Sequence, residues 1–172
     1  MANYKEELIN IKAFAFDVDG VFSGNITLTD LGEQLRTMNI KDGYAVQLAI
    51  KKGFPIAIIT GGYSEGIRKR FEGLGVKDIY MSCEQKTNKF QDFLTKYSLK
   101  SSEVVYMGDD LPDYEIMKIA GIAVCPSDAA YEIKEISKYI SSINGGNGCV
   151  RDIIEQVLRS QGKWLNNDAF KW

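Results

Sequence analysis

Short apolar runs alternate along the chain with longer segments in which apolar residues recur every three or four positions. The runs predict strands at Ile11 to Asp17, Pro55 to Ile59, Asp78 to Met81, Glu103 to Met107 and Ile122 to Cys125, with Tyr139-Ile140 as a last short one. The periodic segments predict helices between them. Asp42 is placed to N-cap the first, whose Ala45, Val46, Leu48, Ala49 and Ile50 continue until Gly53. Ser64 caps a second, to about Leu74, which Gly75 ends. Lys86 to Tyr97 carries apolar Phe90, Phe93 and Leu94, and Pro112 sits near the first turn of a helix running to Ala120. Ala129 to Ser137 is a further helix, and the glycine-rich loop 144–148 precedes a final one from Cys149 to about Ser160.

One region breaks the alternation. Asn25 to Thr29 and Gln34 to Met38 are β-prone runs joined by the turn-like Asp30-Leu31-Gly32-Glu33, which predicts a β-hairpin inserted over about 22–40. The remainder predicts an α/β fold: a three-layer, Rossmann-like parallel sheet covered on both faces by right-handed crossovers. The 172 residues are expected to form a single domain, 1–172, with no room for a cap domain.

Composition narrows the function. A net charge of -2 and a pI near 5.3 argue against a nucleic-acid partner. No apolar run reaches membrane-spanning length, and Met1 to Lys12, with two Lys and two Glu, has no signal-peptide core. Cys83, Cys125 and Cys149 are far apart, as reduced thiols of a cytoplasmic protein would be. The chain has no histidine, which removes Ser-His-Asp and Cys-His hydrolysis, phosphohistidine chemistry and the usual zinc sites. Acid–base work falls to carboxylates, Lys, Tyr or Cys.

The first strand ends in Phe14-Ala15-Phe16-Asp17-Val18-Asp19-Gly20. Alternation sends Asp17 and Asp19 to the same face, where a hydrated cation, a shared proton or both would relieve their repulsion. A strand closing in an acidic turn has the same spacing. Parallel strands bring this end to the same sheet edge as Thr60-Gly61, Asp109/Asp110 and Lys86. Carboxylates, a hydroxyl, a lysine and glycine-flanked amides there suit a divalent cation plus phosphate. Singly, Lys86 reads as a solvated helix residue, Thr60 as a turn former and Asp109 and Asp110 as helix caps. Their joint occurrence in this order favours the site.

With DVDGV (17–21), TGG (60–62), Lys86 and GDDLPD (108–113), the chain resembles the haloacid dehalogenase superfamily over about residues 11–160, and its size resembles the capless branch. Asn39-Ile40-Lys41-Asp42-Gly43 is similar to a substrate segment, and 145–151 to a glycine-rich loop, of the sugar-acid phosphatases in that branch. The resemblance implies that Asp17 is the nucleophile and Asp19 the acid and base. It implies Mg²⁺ held by Asp17, the Asp19 carbonyl and Asp109, and phosphate held by Thr60, Lys86 and the Gly20 and Gly61 amides. Asp110 would stand behind these ligands, and Asp113 would either orient Lys86 or favour its own helix N-terminus. Asn39 to Gly43 and Arg70, from the basic run 68–70, would contact the substrate.

The implied substrate is 3-deoxy-D-manno-octulosonate 8-phosphate, in lipopolysaccharide synthesis. The implied assembly is a homotetramer whose hairpins and neighbouring subunits close each other's sites. Gly62 and Gln47 stand where many or some relatives carry Arg, which keeps a nine-carbon keto-sugar acid 9-phosphate open. Two non-enzymatic readings remain. In a phosphoacceptor receiver domain the acid pair closes the first strand, the reverse of the order here; a non-catalytic family member would not need every motif residue. The aromatic tail, Trp164, Phe170 and Trp172 in about 161–172, is expected to dock on its own or a neighbouring subunit.

Overall fold

The computed structural model describes residues 4–171; Met1, Ala2, Asn3 and Trp172 lie outside the described residues, and with them the outermost part of what was expected of the two termini. Strands β1 (Ala13–Phe16), β4 (Ile56–Ile59), β5 (Asp78–Tyr80), β6 (Val104–Met107), β7 (Ile122–Cys125) and β8 (Tyr139–Ile140) form one sheet in the order β5-β4-β1-β6-β7-β8. Every pairing in it is parallel. Strands β2 (Ile26–Leu28) and β3 (Gln34–Arg36) pair separately as the antiparallel hairpin. The helices are α1 (Tyr4–Glu7), α2 (Ile40–Lys51), α3 (Glu65–Gly73), α4 (Lys86–Tyr97), α5 (Tyr114–Ile119), α6 (Tyr131–Ile136) and α7 (Cys149–Ser160). None is long and apolar enough to cross a membrane. No cap domain interrupts this order among the described residues.

The three layers follow from alternation along the strands. Phe14 and Phe16 of β1, Ile56 and Ile58 of β4, and Val105 and Met107 of β6 enter one core with the apolar faces of α2, α3 and α7. Ala13, Ala15, Ala57 and Tyr106 enter the other, against Phe90 and Phe93 of α4 and Ile116 and Met117 of α5. β1 thus turns its phenylalanines to the first core and its alanines to the second. Each fully buried Phe or Ile contributes about 1.5–3 kcal/mol.

Four boundaries differ from expectation. Asp42 does not cap α2: Asn39 does, accepting from the Lys41 amide at 2.8 Å, so the helix starts at Ile40. Ser64 precedes α3 without a side-chain cap. β1 begins at Ala13 because the Ile11 amide closes a 3-10 turn on Leu8 at 3.3 Å. Helix α6 starts late because Ala130 is extended and donates its amide to Asp109 O at 2.9 Å. The helical segment 4–10 had no counterpart in the sequence reading.

Strand order reverses between β1 and β6, so the connections leaving their carboxyl ends run in opposite directions and a crevice opens outside them. Asp17 and Asp109 stand there.

Candidate active site

The residues after β1, β4 and β6 make the site. Asp17 is buried, fixed by its amide to Met107 O at 3.0 Å, and its Oδ1 accepts from the Val18 amide at 2.7 Å. Lys86, the first residue of α4, is also buried and places Nζ 2.6 Å from Asp17 Oδ2 and 2.7 Å from Asp113 Oδ1. Asp113 therefore orients Lys86. The Tyr106 hydroxyl donates to Asp113 Oδ1 at 2.6 Å and the Asp109 amide to Oδ2 at 3.1 Å, so Asp113 is engaged at both oxygens. Thr60 is buried, with Oγ1 accepting from the Gly62 amide at 3.1 Å. Gly20 has φ +82°, and a Cβ there would overlap the Asp109 carboxylate. Only glycine lets the first loop pass that close.

Carboxylate oxygens of Asp17, Asp109 and Asp113 lie within 4.8 Å of one another. Burial, then repulsion from Asp113, lifts Asp17 to about 7 despite Lys86, and burial with Asp113 and Asp17 lifts Asp109 to about 7 as well. Burial pulls Lys86 down, but Asp17 and Asp113 more than offset it and its pKa is raised. Three carboxylates facing one lysine are short of positive charge, and their hard oxygens suit a magnesium-sized cation. Asp113 accepts from three partners, Lys86, Tyr106 and the Asp109 amide, and Asp17 from two, Val18 and Lys86, so Asp17 and Asp109 are the carboxylates with more room for it. The Asp19 carboxylate stands outside this cluster, so Asp19 could contribute only its carbonyl, as the resemblance implies.

The other expected residues divide. Asp110 is exposed and accepts from its neighbour's amide, Leu111 N, at 2.8 Å. Gly61 lines the same cavity of about 410 Å³ as Asp17, Asp19, Gly20, Thr60, Lys86 and Asp109. Asn39 caps α2, while Ile40 and Lys41 are exposed. Asp42 and Gly43 are corrections. Asp42 is wholly buried, accepting from the Arg151 amide at 2.7 Å, and burial raises it to about 6. It fastens α2 to α7 and its side chain is sealed from any substrate. Gly43 is buried beneath Arg70, whose guanidinium a Cβ would strike. Arg70 itself lines a second cavity, about 680 Å³, between the hairpin and α3, together with Ile40. A cavity of about 780 Å³ opens near Lys12 and Phe54 at the opposite sheet edge, away from the carboxylates.

Two site residues escaped the sequence reading. Tyr106 holds Asp113, and its one signal is a tyrosine in an otherwise aliphatic strand just before Gly108-Asp109. Arg36 of β3 clasps Asp19 with Nε at 2.6 Å and Nη2 at 3.0 Å, and nothing local marks it. The glycine-rich loop closes on the first loop: the Gly146 amide donates to Val21 O at 2.8 Å, and a Cβ at Gly145 would strike Gly20 O.

Comparison with known proteins agrees with the fold. The family profile for haloacid dehalogenase-like hydrolases matches residues 83–153. The chain is 36% identical over 155 residues to 3-deoxy-D-manno-octulosonate 8-phosphate phosphatase KdsC of Escherichia coli K12, covering 90% of this chain and 82% of that protein. The crystal structure of the Yersinia pestis phosphatase of that name superposes with TM-score 0.91 at 31% identity, covering 94% of this chain and 88% of the other. The Moraxella catarrhalis phosphatase, solved with magnesium ion, phosphate ion and KDO, superposes with TM-score 0.90 at 31% identity, covering 94% of each chain.

Proposed function

The chain belongs to the haloacid dehalogenase-like hydrolases, and we propose that it is a magnesium-dependent phosphohydrolase that releases phosphate from 3-deoxy-D-manno-octulosonate 8-phosphate. The observation that carries this reading is the buried Asp17 carboxylate, 2.6 Å from Lys86 Nζ, in a cluster of acids at the crevice between β1 and β6.

Asp17 attacks phosphorus in line with the leaving oxygen, forming an aspartyl-phosphate as the ester P–O bond breaks. Asp19 gives its proton to the departing alkoxide. In the second step Asp19 takes a proton from water, whose oxygen attacks phosphorus and breaks the bond to Asp17. Lys86, Thr60 and the Gly61 amide hold the phosphoryl oxygens as their charge redistributes, whereas the Gly20 amide, expected to join them, is already donated to Ser23 O at 2.7 Å. Asp17, Asp109 and the Asp19 carbonyl would hold Mg²⁺, which when bound neutralises the crowded carboxylates and phosphoryl charge. Asp113, with Tyr106 behind it, keeps the Lys86 ammonium aimed at Asp17. Asn39, Ile40, Lys41 and Arg70 are the residues available to the sugar end.

We read the assembly as a cytoplasmic homotetramer. Its support is the hairpin, where Leu28 and Leu31 are 69% and 87% exposed and Leu35 is exposed beside them, an apolar surface suited to another copy's rim.

The test is phosphate release from eight- and nine-carbon keto-sugar acid phosphates and simple sugar phosphates, with Mg²⁺ or with excess chelator. Strong Mg²⁺-dependent preference for the octulosonate 8-phosphate, abolished in Asp17→Asn, is expected. Preference for a nine-carbon substrate overturns the specificity, and no turnover of any phosphate ester overturns the activity.

A further inference from the structure

Arg36 and Asp19 form a two-pronged pair, Nε to Oδ1 at 2.6 Å and Nη2 to Oδ2 at 3.0 Å. Both oxygens of the acid–base carboxylate are thereby taken. In this state one lone pair of each Asp19 oxygen is committed to Arg36, which holds the carboxylate in place. The Arg36 side chain is 5% exposed, yet its Nη1 is buried with no hydrogen-bond partner. A desolvated cationic donor without an acceptor is unfavourable, so the pair is tight and incompletely satisfied.

The pair also stands at a boundary. Asp19 lines the catalytic cavity, and Arg36 lines the neighbouring cavity of about 680 Å³ that Arg70 faces. Gly62 lies against the pair: a Cβ there would sit at ordinary contact distance, 3.4 Å from Asp19 Oδ2 and 3.5 Å from Arg36 Nη2. Arg36 is carried on a three-residue strand paired with β2 alone, outside the six-stranded sheet. It can shift without disturbing the strand ends that carry Asp17 and Asp109.

We propose that Arg36 is a specificity-determining residue that passes from Asp19 to the carboxylate of a bound sugar acid, so that Asp19 is freed only when an acid-bearing substrate fills both cavities. A substrate carboxylate is the chemical equal of the Asp19 carboxylate, so the exchange is close to balanced. The unpartnered Nη1 gains an acceptor in the exchange and tips it toward the substrate. A phosphate ester without a carboxylate has nothing to offer the guanidinium and leaves Asp19 clasped. The proposal rests on the sugar-acid phosphatase reading.

The test compares wild type, Arg36→Ala and Arg36→Lys on the octulosonate 8-phosphate and on p-nitrophenyl phosphate, with thermal unfolding to confirm the fold. In Arg36→Ala, kcat/KM for the sugar acid phosphate is expected to fall about thirtyfold or more, chiefly through KM, as when one partner of a desolvated charge pair is removed. Turnover of p-nitrophenyl phosphate is expected to rise, because Asp19 is unclasped. Arg36→Lys, which keeps charge but not the fork, is expected to fall between on the sugar acid phosphate. Equal loss on both substrates, or no loss on the sugar acid phosphate, overturns the proposal. Titration calorimetry with the free sugar acid reads the same contact without turnover: affinity in Arg36→Ala equal to wild type also overturns it. A wild type that hydrolyses neither ester instead overturns the functional reading.

Discussion

Gly20 and Asp109 share one small volume: the first loop passes so near the second that a side chain at position 20 would overlap the Asp109 carboxylate. Gly20→Ala is therefore expected to push Asp109 away and to strain a backbone at φ +82°. Val18, Val21 and Phe22 beside Gly20 pack in the first core, so a fall in melting temperature should accompany the change. Phosphate release should fall about a hundredfold, the effect of misplacing a catalytic group by an ångström. Weaker Mg²⁺ binding by calorimetry would accompany it.

The two carboxylates lifted to about 7 make stability depend on pH and metal together. Between their unfolded values near 4 and their folded values near 7, the folded state holds protons that the unfolded chain has lost. The metal-free protein should thus lose stability as pH rises from about 4 to 7, and level off above. Mg²⁺ takes the place of those protons, so the rise in melting temperature on adding it should be small at pH 5 and large at pH 8. Scanning calorimetry at both pH values with Mg²⁺ and with chelator measures this; Asp109→Asn should flatten both trends.

Tyr106 is wholly buried and gives its hydroxyl to Asp113 at 2.6 Å. Tyr106→Phe keeps the ring against Phe90 but removes a donor from the Asp113 carboxyl and leaves a buried acceptor short of a partner, a loss of about 1–3 kcal/mol. Urea unfolding should show that loss, and kcat should fall as Lys86 loses a fixed partner.

The tail docks on its own chain through Trp164, buried with its ring centroid 5.0 Å from Arg151 Cζ and 5.8 Å from Arg159 Cζ, and in edge contact with Tyr44. Further along, the Tyr44 hydroxyl donates to the Ala169 carbonyl and Lys51 Nζ to the Lys171 carbonyl at 3.2 Å. Trp164→Ala should destabilise the protein by about 3 kcal/mol with m unchanged in urea. Phe170 is exposed, and Phe170→Ala should leave that midpoint within experimental scatter.

The sequence carried the sheet, both helical layers and the catalytic strand ends because each rests on local signals: apolar period, glycine at a turn, acids after a strand. Lys86 and Asp113 were legible as candidates and their pairing as one of two readings of Asp113; the 2.7 Å contact between elements of different crossovers selects it. Asp42 was misjudged because an acid before an apolar run resembles a cap, whereas its partner, the Arg151 amide, lies 109 residues away. Arg36 was illegible for a similar reason. It is one charge in an exposed hairpin until the hairpin folds back over the first loop. Pairings across the chain, not residue types, were what the pattern could not hold.

The reacting groups all follow β4, β1 and β6, three adjacent strands in the middle of the sheet, or lean on them from one helix. The outer strands β5, β7 and β8 contribute width rather than reacting atoms, apart from the loop after β5 that leads to Lys86. Over evolutionary time such a sheet can trade residues along its flanks, and its hairpin can be resized for new cargo, while the central three strands keep one chemistry in register.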